Sequence, residues 1–326
     1  MADCRDGPVA EGVQNVYNEG LPMSTIPEFP TFKPVEINDR DMLHDRLWAY
    51  QPTNSELTFT NLFIWRNHYG FLWSIYKDWL VILGSDPNGE PYLLTPIGPP
   101  NRPPVVDALL TWLHNEKGVH RPAMERADQR LVSELEGSPH FVIEPLRDHF
   151  DYVYRTDDLI QLQGGNYRAK RNHINYFLRS YNYSYEPLDV KYRQACLDLM
   201  DAWCGMRRCE DDLSLSGEWE AIKEALANLE KLDVVGGVIL VHDRVEAFTI
   251  GELLNRDTVV VHIEKANMDI RGLYAMINQQ FCEKQWQNVP YVNREQDLGE
   301  PGLREAKLSY NPDHFVEKFR IRLTPG

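Results

Sequence analysis

The stretch YVNREQDLGEPGLREAKLSY, residues 291–310, interleaves charges of both signs between two apolar segments. An apolar run at residues 289–292 precedes the charges, and an amphipathic turn at residues 302–308 closes them. Polar loops that follow strand ends are where α/β sheets usually bind ligands. The pattern therefore predicts a site for a zwitterion, or for a phosphate beside a carboxylate; the alternative is a salt-bridged loop that only closes the fold. The charged residues in question are Arg294, Glu295, Asp297, Arg304 and Lys307.

Length and composition are those of a globular protein. The 326 residues, 43% hydrophobic and 25% charged, are enough for about two domains of ordinary size. No apolar run approaches the roughly 18 residues of a membrane-spanning helix. The N-terminus MADCRDGPVAEG lacks the basic and then apolar pattern of a signal peptide. We therefore expect a cytoplasmic protein without a transmembrane segment.

The net charge of −15 argues against broad, non-specific binding of nucleic acid, which depends on phosphate neutralisation. A local basic segment, YRAKRNH at residues 167–173 with Arg179 beyond it, is the exception. Lysine and arginine are suited to phosphate contacts, so Lys170 and Arg171 are candidates to dock one end of an RNA. The alternative is a solvated helix surface between two lobes.

Signals of several other protein classes are absent from the sequence. It contains no P-loop, no G-x-G-x-x-G after a strand and no HExxH. The cysteines are odd in number and include no CxxC pair, so we expect reduced thiols and no metal site. They are Cys4, Cys196, Cys204, Cys209 and Cys282.

The order of predicted elements divides the chain into a flexible lead (residues 1–33), a first lobe (34–158), a basic inter-lobe helix (159–182) and a second lobe (183–326). The first lobe mixes helices and strands around a hairpin turned at residues 77–78. The second lobe has the order β-α-α-β-β-β-α-β-α-β. Its three consecutive strands are predicted at residues 234–242, 245–254 and 258–264, and one final strand at 315–323.

Four segments carry a resemblance to a known family: TNLFIWR (60–66), KRNH (170–173), EKA (264–266) and NREQDLG (293–299). They resemble the C-terminal domain of phosphatidylglycerol lysyltransferases, over nearly all of the chain from about residue 34. The resemblance implies an α+β fold with mixed sheets, arranged as two tandem Gcn5-related N-acyltransferase-like lobes. It also implies a relationship to enzymes that move an aminoacyl group from a charged tRNA to a lipid or peptide acceptor.

The acceptor and the donor stay open at this point. Because the chain lacks the long membrane-spanning half of the lipid-modifying enzymes, a soluble amine or hydroxyl is as good a candidate acceptor as a lipid headgroup. Acetyltransferases of this fold hold coenzyme A on a glycine-rich turn. The corresponding turn here, residues 265–273, contains a single glycine, Gly272. The charged-tRNA donor that the resemblance implies does not require such a turn, so we expect aminoacyl-tRNA as co-substrate and no bound cofactor. The alternatives are an N-acyltransferase that uses acyl-coenzyme A and a non-catalytic binding module.

Alternation along the predicted strand 258–264 places His262 and Glu264 on one face, and Val259, Val261 and Ile263 on the other. Glu252 of the preceding strand is expected close to His262. Glu252, His262 and Glu264 are accordingly the predicted catalytic set, one of which takes the proton from the acceptor as it attacks the ester carbonyl. We expect direct transfer, without a covalent enzyme intermediate.

The remaining predicted roles concern substrate binding. Glu295 or Asp297 would hold the ammonium of an amino acid. Arg294 and Lys307 would meet the terminal ribose-phosphate or the developing oxyanion. A positive track for phosphates would continue through Lys170, Arg171 and Arg271.

Overall fold

The structure, a computed structural model, describes residues 26–207 and 213–324. Residues 1–25 of the predicted lead, with Cys4, and residue Cys209 lie outside the described residues. The first half of the chain contains β1 (Lys33–Pro34), α1 (Arg40–Tyr50), α2 (Phe59–Ile64), α3 (Arg66–Tyr69), β2 (Leu72–Tyr76), β3 (Trp79–Ser85), β4 (Pro91–Leu93), α4 (Pro103–Lys117), β5 (Ala123–Ala127), α5 (Gln129–Leu135), β6 (Phe141–Pro145) and β7 (Asp151–Arg155). The second half of the chain contains α6 (Thr156–Gln161), α7 (Arg168–Ser180), β8 (Tyr183–Pro187), α8 (Arg193–Arg207), α9 (Leu213–Ala227), α10 (Leu229–Leu232), β9 (Val235–Val241), β10 (Arg244–Leu253), β11 (Thr258–Ala266), α11 (Leu273–Gln285), β12 (Tyr291–Asn293), α12 (Pro301–Leu308), β13 (His314–Val316) and β14 (Phe319–Leu323).

The strands of the described residues form two sheets with the same internal order. The first sheet runs β1-β2-β3-β4-β5-β14-β6 and the second runs β8-β9-β10-β11-β12-β7-β13. In each sheet one neighbouring pair is parallel, β4 with β5 and β11 with β12. The expectation of a mixed α+β fold built from two related lobes is confirmed.

The two sheets exchange a strand with each other. β7 follows β6 in the chain but pairs with β12 and β13, whereas β14 follows β13 and pairs with β5 and β6. The predicted boundaries at residues 158 and 182 do not anticipate this exchange. A cut there would leave each sheet without a strand next to its edge.

The exchange explains why the single strand predicted at residues 315–323 is wrong. The chain leaves the second sheet after Val316 and enters the first sheet at Phe319. Between them Lys318 is fully buried, with its Nζ 2.6 Å from Asp151 Oδ1 and 2.7 Å from Glu56 Oε1. The buried cation thus joins the start of β7 to the segment before α2, at the crossing of the two lobes.

The lobes also share an apolar core. One cluster of buried side chains contains Trp73 of the first sheet, Phe248 and Ile250 of the second sheet, and Phe63 of α2. All six residues of α2 are buried, and its N-terminus is capped by Thr58, whose side chain accepts from the Asn61 N–H. This short helix therefore packs in the apolar core that side chains of both sheets share.

Local geometry at one strand pair departs from the predicted alternation. Ile250 pairs with Ile263 and Gly251 pairs with Val261, so His262 is an extra residue in β11. A Cβ at position 251 would lie 2.5 Å from the Val260 carbonyl oxygen, so only glycine permits this close approach.

The consequence of this bulge is that the predicted common face of Val259, Val261 and Ile263 is wrong. Val259 and Val261 pack with Phe281 of α11, whereas Ile263 packs with Ile250 in the core shared by the lobes. The extra residue shifts the alternation by one position, so residues on the two sides of it change faces.

Two smaller outcomes concern the thiols and the helices. Cys196 and Cys282 are buried free thiols, whereas Cys204 is disulfide-bonded, so the expectation of reduced thiols is wrong for Cys204. Among the described residues, no helix combines the length and the apolar character needed to cross a membrane.

Candidate active site at the divergence of β11 and β12

The candidate site begins where the parallel strands β11 and β12 separate. Their pairing ends at Val260 with Asn293, and beyond this pair the two strands diverge. Two charged pairs bridge the gap, Glu295 with His262 and Arg294 with Glu264. Consecutive residues of the diverging loop thus meet His262, the extra residue of the bulge in β11, and Glu264, two positions beyond it.

His262 lies between two carboxylates. Its Nε2 is 2.9 Å from Glu252 Oε1 and its Nδ1 is 2.9 Å from Glu295 Oε1. Burial lowers the pKa of His262, but the hydrogen bonds to Glu252 and Glu295 outweigh burial and raise it to about 9. The imidazole is therefore protonated at neutral pH and donates to both carboxylates, so the resting site offers no free ring nitrogen to accept a proton.

Glu252 has the converse behaviour. Burial alone would raise its pKa, yet the hydrogen bond from His262 holds the pKa below its ordinary value. The predicted proximity of Glu252 and His262 is thus present in the structure, as a carboxylate–imidazolium pair.

Glu295 is held in an unusual backbone conformation, with φ of 56°. A left-handed non-glycine residue is costly and persists where surrounding contacts impose it. The Oε1 of Glu295 accepts a hydrogen bond from the His262 Nδ1 and another, at 3.2 Å, from the Nδ2 of Asn61 in α2. No side chain of the described residues donates to its Oε2, so this oxygen can accept a substrate ammonium.

The second pair joins Arg294 to Glu264. Arg294 Nη2 lies 2.7 Å from Glu264 Oε1, and Asn278 of α11 donates to the other carboxylate oxygen at 3.0 Å. Arg294 Nη1 and Asn278 Oδ1 are buried without a hydrogen-bond partner. A buried donor and a buried acceptor left open beside one carboxylate are suited to a polar ligand, since unsatisfied buried groups are costly.

Lys170 of the basic helix α7 faces this second pair. Its Nζ lies 3.9 Å from the centre of the Tyr310 ring, and the Arg294 guanidinium lies 4.7 Å from the same ring. Burial, together with the neighbouring Arg294, lowers the pKa of Lys170 to about 8. The ammonium is therefore still mostly charged at neutral pH, but partly desolvated.

Asp297 occupies a different position from the one its predicted role requires. Its side chain is fully buried and accepts from Arg304 (2.7 and 2.8 Å), the Tyr152 hydroxyl (2.5 Å) and the Gly299 N–H (2.8 Å). Burial opposes ionisation, but the hydrogen bonds from Arg304 and Tyr152 lower the pKa of Asp297 to about 2. It organises the loop before α12, and the geometry does not support contact with a substrate ammonium.

Lys307 is likewise turned inward. Its buried Nζ donates to the backbone carbonyls of Arg294 and, at 3.1 Å, Glu295. Burial and the nearby Arg294 lower the pKa of Lys307 to about 8. The lysine therefore fixes the backbone that carries Arg294 and Glu295, and a direct contact with a ribose-phosphate is not supported.

The predicted phosphate residues separate into two groups. Arg171 donates to the carbonyls of Leu162 and Gly164, just after the C-terminus of α6, so its guanidinium is not free for phosphate. Arg271 is exposed beside α7, with its guanidinium 4.8 Å from the Tyr176 ring. Lys170 and Arg271 thus stay candidates, and Arg171 has a structural role.

Sequence reasoning missed the contribution of the first lobe to the site. Asn61 contacts Glu295, and Thr58 Oγ1 lies 3.5 Å from His262 Nε2. The signal was available in ELTFTNLFIW, where polar residues interrupt an otherwise apolar helix. A buried amide needs a partner, and here the partner comes from the opposite lobe.

The strand order, the parallel pair that diverges and the repetition of this arrangement define a tandem Gcn5-related N-acyltransferase-like protein. The profile of the family described as "Phosphatidylglycerol lysyltransferase, C-terminal" matches residues 49–322. The chain belongs to this family. The family and the fold support a transferase of the acyltransferase type.

Known proteins resemble the chain to different degrees. A protein of unknown function from Bacteroides thetaiotaomicron VPI-5482 has a structure with TM-score 0.83 and 35% identity, covering 90% of this chain and 99% of that one. The structure of L-PGS from Bacillus licheniformis has TM-score 0.62 and 12% identity, covering 91% and 93%, and shows the fold alone. An uncharacterized protein of Mycoplasmoides gallisepticum is 20% identical over 176 residues, which are 53% of this chain and 56% of that protein. The match thus spans only about half of that relative.

Proposed function

We propose that the protein is an aminoacyltransferase that takes an aminoacyl group from a charged tRNA and passes it directly to an amine or hydroxyl acceptor. The observation that carries the proposal is the bridged gap between β11 and β12. An acyl group entering this gap meets carboxylates and cations together, in the pairs Glu295–His262 and Glu264–Arg294. An aminoacyl group differs from an acetyl group in carrying an ammonium, and carboxylates are its natural partners.

The environment of Gly272 favours this donor over acyl-coenzyme A. Gly272 caps α11, where the fold would place the pyrophosphate of the coenzyme. A Cβ at this position would lie 2.3 Å from the His173 carbonyl oxygen, so α7 packs directly on the cap. A carbonyl oxygen beside the helix N-terminus competes with a phosphate for the same N–H groups and repels it.

The residues then have the following proposed roles. Glu295 holds the substrate ammonium through Oε2, with its position set by His262 and Asn61. Lys170 stabilises the oxyanion that develops on the ester carbonyl. The acceptor nitrogen or oxygen bonds to the carbonyl carbon, the bond to the ribose oxygen breaks, and Glu264 carries the proton from the acceptor to the departing ribose oxygen. An aminoacyl ester is already activated, so positioning supplies much of the rate.

The experiment uses the full chain and a set of tRNAs, each charged with one radiolabelled amino acid. Phosphatidylglycerol vesicles, a dipeptide and a polyamine serve as separate acceptors, and acetyl-coenzyme A is tested in parallel as donor. We expect label transfer from one charged tRNA to one acceptor class. We expect Lys170→Met to lower the rate at least tenfold, since it removes the cation beside the carbonyl.

The matched control is Lys117→Met in the first lobe. Lys117 also lies over an aromatic ring, 5.3 Å from the centre of Trp112, but outside the candidate site. It should leave the transfer rate unchanged. Transfer from acetyl-coenzyme A alone, or equal rates for Lys170→Met and the wild type, would contradict the proposal.

A further inference from the structure

The helix α7 concentrates positive charge in an acidic protein. Its sequence RAKRNHINYFLRS contains Arg168, Lys170, Arg171 and Arg179 and no acidic residue, whereas the chain has 49 acidic against 34 basic residues. Arg171 is half-buried and bound to two backbone carbonyls, whereas Arg168 and Arg179 are exposed, although the Nε of Arg179 donates to the Asn175 carbonyl at 3.1 Å. This face is thus a local exception to the net charge, and it attracts polyanions.

A pocket of about 470 Å³ lies against the C-terminal part of this helix. Its lining combines amide, aromatic, apolar and guanidinium groups from Asn172, Asn175, Tyr176, Leu178, Arg179 and Arg271. Tyr176 is 38% exposed and Leu178 is 48% exposed, so both side chains offer apolar surface to a ligand in the pocket.

The composition of the pocket fits a nucleotide. Arginines bind phosphate oxygens, and the Tyr176 ring and the Arg271 guanidinium provide planes on which a base can stack. The amides of Asn172 and Asn175 can donate to, and accept from, the edge of an unpaired base. Single-stranded RNA ends are recognised through this combination of stacking and edge contacts.

The spacing along α7 connects the pocket to the candidate site. Lys170 faces the Glu264–Arg294 pair on the side of α7 that packs inward, whereas Arg179 lies nine residues further along, about 14 Å along the axis at ~1.5 Å per residue and about half a turn around it, on the exposed side. Crossing a helix about 10 Å wide as well, a strand covers about 17 Å between the two points, which corresponds to about five stacked nucleotides at ~3.4 Å each. A nucleic-acid strand that passes around α7 can therefore occupy the pocket while its end lies at Lys170.

We propose that this pocket binds a nucleotide of the single-stranded 3′ end of the donor RNA, a few positions before the esterified terminus. The proposal rests on the proposed function, because it uses a charged tRNA as donor, and it assigns the surface that receives the strand. Arg179 and Arg271 contact phosphates on the two sides of the pocket, and Tyr176 stacks on a base.

The test measures binding of a 5′-fluorescein-labelled single-stranded RNA ending in ACCA, by anisotropy at several salt concentrations. We expect Arg179→Gln and Arg271→Gln each to weaken binding about three- to tenfold and to lower the salt slope by about 1. Tyr176→Ala should weaken it about tenfold, through the loss of one stacked base. Arg121→Gln, an exposed arginine of the first lobe, should bind RNA as the wild type does.

Charged tRNA separates the two proposals. If the wild type transfers label from charged tRNA and the KM for tRNA rises in Arg271→Gln with kcat unchanged, both stand. If transfer occurs but all pocket variants bind RNA like the wild type, the pocket assignment is overturned and the proposed function stands. If the wild type binds no RNA, and acetyl-coenzyme A binding is lost in the pocket variants instead, the nucleotide belongs to the coenzyme and the RNA assignment fails with the proposed function.

Discussion

The two sheets repeat more than their strand order. Two residues beyond the parallel pairing, each has a left-handed non-glycine residue, Arg126 (φ 55°) in the first and Glu295 (φ 56°) in the second. Two residues further on, each has a buried aspartate, Asp128 or Asp297, that accepts from a tyrosine hydroxyl at 2.5 Å. The same backbone path thus occurs twice.

The side chains at the divergence differ between the sheets. In the first sheet Arg126 is buried, bonded to the Tyr92 hydroxyl, 4.9 Å from the Tyr69 ring centre and 4.0 Å from Glu56. In the second sheet the residues bridging the gap are half-buried and carry carboxylate oxygens toward it. The comparison teaches that the divergence alone makes no site, because in the first sheet aromatic and guanidinium groups close it.

The largest expected effect concerns the point where the sheets are joined. Lys318→Met removes the cation between Asp151 and Glu56 and leaves two buried carboxylates facing each other. We expect the free energy of unfolding to fall by about 3–5 kcal/mol, measured by urea denaturation with tryptophan fluorescence. Both lobes should unfold in one transition, since each sheet contains a strand from the other half of the chain.

The half-exposed Lys284 provides the control for this substitution. Lys284→Met should change the free energy of unfolding by less than about 0.5 kcal/mol. Two separate unfolding transitions in the wild type would show that the lobes are independent, and would break the comparison between them as parts of one unit.

The next effect is a pH dependence of stability that arises at the divergence in the second sheet. His262 has a pKa of about 9 in the folded protein against an ordinary value of 6.5. A raised pKa stabilises the fold fully below about pH 6.5, and this stabilisation is lost as the pH rises through about 9. The stability advantage of the wild type over His262→Gln should therefore shrink by up to about 3 kcal/mol across this window.

The measurement compares urea unfolding of the wild type and His262→Gln at several pH values. Contributions from Lys170 and Lys307 are common to both proteins and cancel in the difference. A difference that does not change with pH would mean that the imidazole is not held as a cation between Glu252 and Glu295.

The smallest effects come from single hydrogen bonds, one in each divergence. Asn61→Ala removes a donor to Glu295, so we expect aminoacyl transfer to slow about five- to tenfold, equivalent to about 1 kcal/mol. Tyr92→Phe removes the hydroxyl bonded to Arg126, and should lower the free energy of unfolding by about 1–3 kcal/mol without changing the transfer rate. If Tyr92→Phe slowed transfer and Asn61→Ala did not, the site would belong to the first lobe.

Much of the local structure followed from the pattern of residues. The hairpin turned at residues 77–78, the basic helix α7 and the three consecutive strands of the second lobe are present. The proximity of Glu252 and His262 was also predictable, because adjacent antiparallel strands bring such positions together. The faces of Ile263 and Glu264 were not, because one extra residue opposite Gly251 reverses the alternation.

The roles of Asp297, Lys307 and Arg171 could not be separated from those of their neighbours by charge. All three look like binding residues in the sequence, yet each is committed to partners within the fold. Whether a charged side chain is free depends on what surrounds it in three dimensions, and that includes residues far away in the chain, such as Tyr152 beside Asp297.

The amino-acid sequence was sufficient for most of the order of helices and strands, because periodicity and local propensity act over short distances, and the family resemblance supplied the two tandem lobes. The tertiary structure decided the exchange of β7 and β14, the inward turn of Lys318 and the contact of Asn61 with Glu295. The ion pair of Lys318 with Asp151 and the hydrogen bond of Asn61 with Glu295 each join residues more than 160 positions apart in the chain. Which distant strands pair, and which buried charges meet, depends on the packing of the whole chain.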